Sequence, residues 1–279
     1  MIWIVTDSAQ ETKDAKDKGL VVVKLPVLVN GEVPQEEITD EQFYLLLDSE
    51  GVSLTTSQFS PAAFADLFEE LLKNPEDEVV AVLLSSTLSG TYNSARLATM
   101  EFDGRVHLVD SNNACLSQTA LVQEALRLRD QGMNAAEIAD ALEQAKKEVK
   151  LFALVPTLKY LKKGGRISAA RATIGELAGI KPIVTIDENG EVGVAAQTRG
   201  IKKAIRQIVS LVEEEGLDLN RPIVLGYSGL DDANVHALIT ELESALGTDL
   251  SHVEPCSLSQ VLGVHVGPGA AGIGFFTKK

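Results

Sequence analysis

The chain has 279 residues, a net charge of -15, and 45% hydrophobic against 23% charged residues, the composition of a folded globular protein rather than a disordered one. So acidic a chain lacks the overall basic face that general nucleic-acid binding needs to displace counterions. No apolar run approaches the roughly 18 residues of a membrane span, and Cys115 and Cys256, far apart in sequence, fit buried or partly buried thiols better than a disulfide framework or a metal knuckle.

The opening MIWIVTDS carries no basic n-region, so IWIV (2–5) reads as a strand and not a secretory signal. A cytoplasmic protein with reduced thiols is expected. VVVKLPVLV (21–29) reads as one further extended stretch, ending at the turn signal Asn30-Gly31. ITDEQFYLLL predicts a helix entered at Thr39, with Gln42 as capping-box partner. Ser60-Pro61 opens the next helix, whose apolar face is Phe64, Leu67, Phe68, Leu71 and Leu72. Strand VVAVLL (79–84), a helix from about Ser89, strand RVHLVD, and helices over 116–131 and 135–149 follow, the last boxed by Asn134 and Glu137. Strands alternating with helices at this spacing predict a parallel sheet covered on both faces.

The second half reads differently. LFALVP (151–156) leads to a helix LKYLKK stopped by Gly164-Gly165, then to another helix from Ser168. PIVTIDENGEVGVAAQT predicts a hairpin around Asn189-Gly190. A helix around 200–215, strand PIVLGYSG and a helix from Asp231 to Leu246 come next. The terminal HVGPGAAGIGFF is too rich in glycine for a helix and predicts a final strand. The fold class is therefore α/β in two domains: residues 1–150 with a parallel sheet in three layers, and residues 151–279 with a mixed sheet and helices, with a ligand cleft between them.

Three predicted strands of the first half end in polar residues: Thr6-Asp7-Ser8, Ser85-Ser86 and Asp110-Ser111. Ligands bind beyond the carboxyl ends of strands in open parallel sheets, though the same residues also serve as caps. The densest cluster is LSSTLSGTYNSA (84–95), where Ser89-Gly90 at a helix start offers a hydroxyl and closely approachable amides to an anion. A second cluster, SLTTSQFSP (53–61), places Thr56 and Ser57 before another helix. Together they could present two or three neutral donors to one carboxylate, with Arg166 or Arg199 within reach. Residues 146–206 hold thirteen Lys and Arg against five Asp and Glu, a net +8, whereas the rest has twelve against thirty-five, or -23. That window is either a set of solvated helix faces or a local anion or partner surface.

Other chemistries match less well. Ser89 as an esterase or acyl-hydrolase nucleophile is the alternative, but Thr87 stands where a nucleophile elbow needs glycine, and His265 and Asp110 complete a triad only by assumption. GPGAAG (267–272) matches G-x-G-x-x-G formally, yet only seven residues follow it, too few for the helix and strand of a dinucleotide site. His107, His236, His252 and His265 have no spacing suited to a shared metal. His107 reads as a satisfied core histidine, and His265, before a Gly-Pro-Gly loop, as an accessible ring.

TDS (6–8), TTSQ (55–58), LSGTYNSA (88–95), VDS (109–111), LKKGGRIS (161–168) and HVGPGA (265–270) together resemble the DegV family of bacterial fatty-acid-binding proteins, the lipid-carrying subunit of fatty acid kinase. The resemblance implies two α/β domains with a long acyl chain in a tunnel between them and no other cofactor. It implies a carboxylate held by Thr56 and Ser89, with Ser57 and Gly90 beside them. Arg166, Arg199 and His265 correspond to residues linked to the acyl-phosphate form and to kinase engagement. The carrier itself is then no enzyme, since a partner kinase binds ATP and phosphorylates the carried acid. One departure stands out: the family's TSQPS has Phe59 in the proline position here, a ring expected to alter the tunnel mouth.

Overall fold

The computed structural model describes residues 1–102, 104–167 and 179–278. The helix expected from Ser168 lies outside the described residues. Strand β1 (Ile2–Asp7) is followed by β2 (Leu20–Val23) and then, after Lys24-Leu25-Pro26, by β3 (Val27–Val29). The single stretch expected over 21–29 is thus two strands. Proline has no N–H to give a sheet, and at Pro26 the chain leaves the first sheet for a second partner. Asn30 and Gly31 take φ of 52° and 90°, the positive pair that a tight reverse turn requires.

Helix α1 (Asp40–Leu47) begins with the Thr39–Gln42 capping box, β4 (Leu54–Thr56) pairs antiparallel with β3, and Ser60 caps α2 (Pro61–Leu71). Then come β5 (Glu78–Leu83), α3 (Thr91–Ala98), β6 (Val106–Asp110), α4 (Cys115–Asp130) and α5 (Ala135–Ala145), the last with its Asn134–Glu137 box in place. Strands β2-β1-β5-β6, in that order, form a wholly parallel sheet. His107 is not a core residue. It sits on the edge strand β6, partly exposed, with Nε2 3.3 Å from Glu78 Oε1.

Helix α5 stops four residues short of the expected 149, because Val149 opens strand β7 (Val149–Leu154) and pairs with Phe276. After α6 (Lys159–Lys163) come β8 (Ile180–Ile186), β9 (Val192–Arg199), α7 (Ile201–Glu215), β10 (Ile223–Tyr227), α8 (Ala233–Leu246), β11 (Cys256–Ser257), α9 (Gln260–Val266) and β12 (Ala271–Phe276). Strands β11-β10-β12-β7-β8-β9 make a mixed sheet, parallel only between β10 and β11. His265 and Val266, expected outside a helix, complete the last turn of α9. That helix ends only at Gly267, where φ turns to 70° ahead of Pro268.

The layers run helix, sheet, helix, sheet, helix. Phe64 and Phe68 of α2 cover Val5, Val79 and Ala81 on the outer face of the parallel sheet. Ile205, Ile208, Leu238 and Leu242 of α7 and α8 cover the outer face of the mixed sheet. Between the sheets lies α4, buried on nearly all sides and packed against β1 and β5 on one flank and β7, β10 and β12 on the other. One apolar cluster therefore runs from Ile4 and Val80 through Leu116, Ala120 and Leu121 to Leu151, Val224 and Phe276. Gly274 makes the approach possible, since a Cβ there would lie 2.3 Å from the Leu116 carbonyl carbon.

The buried Glu124 of α4 accepts a bidentate pair from Arg127 at 2.7 and 2.8 Å and faces Arg221 at 3.3 Å. Arg221 also bonds Glu148 at 2.6 Å and lies 3.6 Å above the Phe276 ring. Two acids thus match two bases where the halves meet. Among the described residues, no helix is long and apolar enough to cross a membrane.

Candidate functional site

The polar strand ends are used first to hold the fold. Asp7 is fully buried and accepts from the Ala9 and Leu84 amides at 3.0 and 2.8 Å and from Gln118 at 3.3 Å. Burial outweighs those bonds and pushes its carboxyl up to about 6. Asp110 accepts from the Ser86 and Asn112 amides at 3.2 and 3.0 Å. Ser85 and Thr87 both donate to the Gly190 carbonyl, at 2.9 and 2.7 Å, and Asn112 donates to the Glu188 carbonyl at 2.7 Å. Part of the hydroxyl cluster therefore clasps the tip of the β8–β9 hairpin.

Beyond these ends lies a cavity of about 410 Å³, within the range of small-molecule sites. Its floor is a registered row across four strands, Gly226, Gly272, Ala153 and Val184. One side is the α9 face carrying Val261, Leu262, His265 and Val266. The N-terminal turn of α4, with Cys115 and Leu116, and the loop residues Ala9 and Leu84 complete the walls. Small residues on the floor leave room that Leu or Val would fill. Glycine within a strand often marks such a close approach of a ligand.

Polar groups gather in one linked set. Thr56, at the end of β4, shares a 2.9 Å hydrogen bond between its Oγ1 and His265 Nε2. Ser57 and Gln58 follow it in the exposed strand-to-helix link. Ser89 lies just before α3, which starts at Thr91 and not at Ser89. Its Oγ accepts from the Thr91 amide at 3.2 Å and shares a 2.9 Å bond with Thr91 Oγ1. Gln58 is seated on Gly90, where a Cβ would meet Gln58 Oε1 at 1.8 Å and the glutamine would have to shift. Gln58 Nε2 donates to Ser94 Oγ at 2.9 Å.

Arg166 closes the set. Its guanidinium donates to the Gly164 carbonyl at 2.6 Å and to the Leu88 carbonyl at 3.2 Å, beside Ser89. Among the described residues lining the cavity, Arg166 is the one fixed charge. His265 is mostly buried rather than an accessible ring. Among the described residues its Nδ1 has no hydrogen-bond partner, and a Cβ on Gly164 would lie 2.4 Å from it. Burial first and the Arg166 charge second lower its pKa to about 4, so the ring is neutral at neutral pH.

Thr56, Ser57, Ser89, Gly90, Arg166 and His265 are thus brought together at the cavity. Arg199 stands apart. It is exposed at the end of β9, beside Gly179, and does not line the cavity. Phe59 does not line it either. Its ring packs edge-on against Phe64 at 4.8 Å, anchoring the Thr56–Gln58 link to α2. The partners of Ser89, His265 and Asp110 differ, so the esterase alternative gains no support from their hydrogen bonds. Among the described residues, no cluster of three His, Cys, Asp or Glu could hold a metal.

A family model described as an uncharacterised protein of the DegV family matches residues 1–278. The chain belongs to the DegV family. A DegV domain-containing protein of Caldanaerobacter subterraneus is 36% identical over 286 residues, covering 100% of this chain and 99% of that protein. A DegV family protein from Thermus thermophilus, described by its fatty acid binding, has a solved structure with TM-score 0.87 and 33% identity, covering 99% of each chain. A fatty acid binding DegV family protein from Streptococcus agalactiae has TM-score 0.84 and 25% identity, covering 100% of this chain and 99% of that one.

Of the six DegV motifs quoted from the sequence, TTSQ, LSG, GGR and the histidine before Gly-Pro-Gly converge on the cavity, while the TDS and VDS carboxylates brace strand ends. Gln58 was absent from the expected site. Its place inside TTSQ was a signal, but its seat on Gly90 joins residues that sequence spacing does not connect.

Proposed function

We propose that this DegV chain binds a long-chain fatty acid, with the acyl chain along the cavity and the carboxylate among Thr56, Ser57, Ser89 and the Gly90 amide. The observation that carries this reading is the cavity's polarity. Its wall is apolar along the mixed sheet and α9, and neutral donors gather at one end. Each buried methylene contributes about 0.8 kcal/mol, and a hydrogen bond to a charged acceptor contributes about 1.5–3 kcal/mol. The fatty acid binding of the Thermus and Streptococcus relatives supports it.

The division of labour follows the sequence resemblance. The chain is a cytoplasmic carrier whose first 150 residues supply the carboxylate donors and whose remainder closes the tunnel. A separate fatty acid kinase supplies ATP and converts the presented carboxylate to an acyl phosphate. Arg166, whose guanidinium bonds the Leu88 carbonyl beside Ser89, would meet the added charge. Arg199, exposed and outside the cavity, suits contact with the kinase better than contact with the acid.

Mass spectrometry of an organic extract of the denatured protein tests the reading. A stoichiometric fatty acid is expected. Its absence, together with failure of the delipidated protein to take up added palmitic or oleic acid, would overturn the function.

A further inference from the structure

We propose that the Leu116 side chain, seated on Gly226, closes the inner end of the cavity and sets the longest acyl chain the protein accepts. This rests on the fatty-acid reading above. The polar end is fixed by His265 and Thr56. From His265 the lining retreats one turn along α9 to Val261 and Leu262, about 5.4 Å, and then to Leu258, whose amide donates to the Tyr227 carbonyl at 2.7 Å. Gly226 is the next residue inward on β10, paired with Cys256 and Gly272.

There the cavity meets Leu116, which is 1% exposed. A Cβ on Gly226 would lie 2.6 Å from Leu116 Cδ2 and 3.2 Å from Cys256 Sγ. The backbone behind that side chain has no room to retreat, because β12 presses on it at Gly274. The isobutyl group, with Cys256 Sγ beside it at Gly226, therefore bounds the apolar space there. Past the same wall lies a second cavity of about 440 Å³, reached by Cys256 and Thr119 and lined by Glu11, Arg127 and Arg221. A terminal methyl pushed beyond the stop would meet charged groups instead of apolar ones. The stop is therefore a limit on length, not a constriction in a longer tunnel.

Displacement of a fluorescent fatty acid by saturated acids from lauric to behenic, on delipidated protein, tests this. Affinity in the wild type is expected to rise roughly fourfold per added methylene up to a limiting length and then to fall. Leu116→Ala should move the limit to longer acids, with a gain on the order of tenfold for the first acid that the wild type rejects. Leu116→Phe and Gly226→Ala should move it the other way, weakening the longest accepted acid and sparing shorter ones. If Leu116→Ala fails to fold, Leu116→Val and Leu116→Phe still give opposite shifts. Length profiles that coincide among the variants and the wild type would overturn the end stop while leaving fatty-acid binding intact. A wild type that binds none of the acids would overturn both.

Discussion

Thr56 and His265, 209 residues apart in the chain, meet through a 2.9 Å hydrogen bond at the polar end of the cavity. The bond joins the antiparallel β3–β4 pair to the last turn of α9. It ties the second hydroxyl of the TTSQ segment to a neutral imidazole, leaving Arg166 as the cation there. A carboxylate arriving at this place meets neutral donors with one positive charge close by.

Loss of a single donor should be measurable. Ser89→Ala and Thr56→Val are each expected to weaken fatty-acid binding by about 1–3 kcal/mol, read as the dissociation constant in a displacement titration. Thermal stability without ligand should change little for Ser89→Ala, whose hydroxyl bonds the neighbouring Thr91. A variant that binds as tightly as the wild type would remove Ser89 from the head-group site.

Gly90 and Gln58 should behave as one unit. Gly90→Ala places a methyl in the space of Gln58 Oε1, so the glutamine must swing out and lose its bond to Ser94. Once Gln58 has been shortened to alanine, the same methyl should cost far less. The expected coupling in a double-mutant cycle is about 1 kcal/mol, within the range for residues in contact. Strict additivity would mean that the glutamine is not seated on the glycine in solution.

Two buried groups give opposite pH dependences. His265 has a folded pKa of about 4 against an ordinary value of 6.5. Between these values the unfolded chain binds its proton more readily, so stability rises with pH through the window and is lost on acidification. The full effect is about 3 kcal/mol. Asp7 has its folded pKa raised from 3.8 to about 6. Its contribution is therefore greatest below 3.8 and declines as pH rises through 6. Urea titrations from pH 4 to 7 are expected to show a flatter acid limb for His265→Gln than for the wild type. An unchanged slope would show that the ring titrates normally in the folded protein.

Glu124 should be costly to remove. Its carboxylate answers both Arg127 and Arg221 while itself only 3% exposed. Breaking such a buried set from one side costs about 3–5 kcal/mol, so Glu124→Ala should lower the denaturant midpoint strongly. Replacing an exposed acid such as Glu69 should move it little. A mild effect at Glu124 would mean that Glu148 alone satisfies Arg221.

Much of the scaffold was legible because it rests on local chemistry. Thr39–Gln42, Ser60-Pro61 and Asn134–Glu137 announce helix starts through side chains reaching amides three residues on, and each forms. The misplaced boundaries share a cause in distant pairing. Residues 146–149 continue a helical pattern, but Val149 finds Phe276, and the stretch over 21–29 divides because β3 finds β4. At the site, Ser89, Thr56 and Arg166 were visible as residue types in runs. The Gln58–Gly90 seat and the Ser85 and Thr87 bonds to Gly190 were not, since the absence of a side chain carries no sign of what occupies its space. The basic window is also paired from outside itself, where Lys146 meets Glu143, Lys159 meets Asp48 and Arg206 meets Glu241.

The central position of α4 has a consequence for how such a molecule can be assembled and changed. Its residues count in the interior of both sheets at once, so a chain cut near residue 150 would leave that helix with one apolar flank turned to water. Neither half is a portable module. Unfolding should proceed as one cooperative event, and changes in what the cavity accepts are easier to reach through single side chains along the helix than by exchanging one half for another.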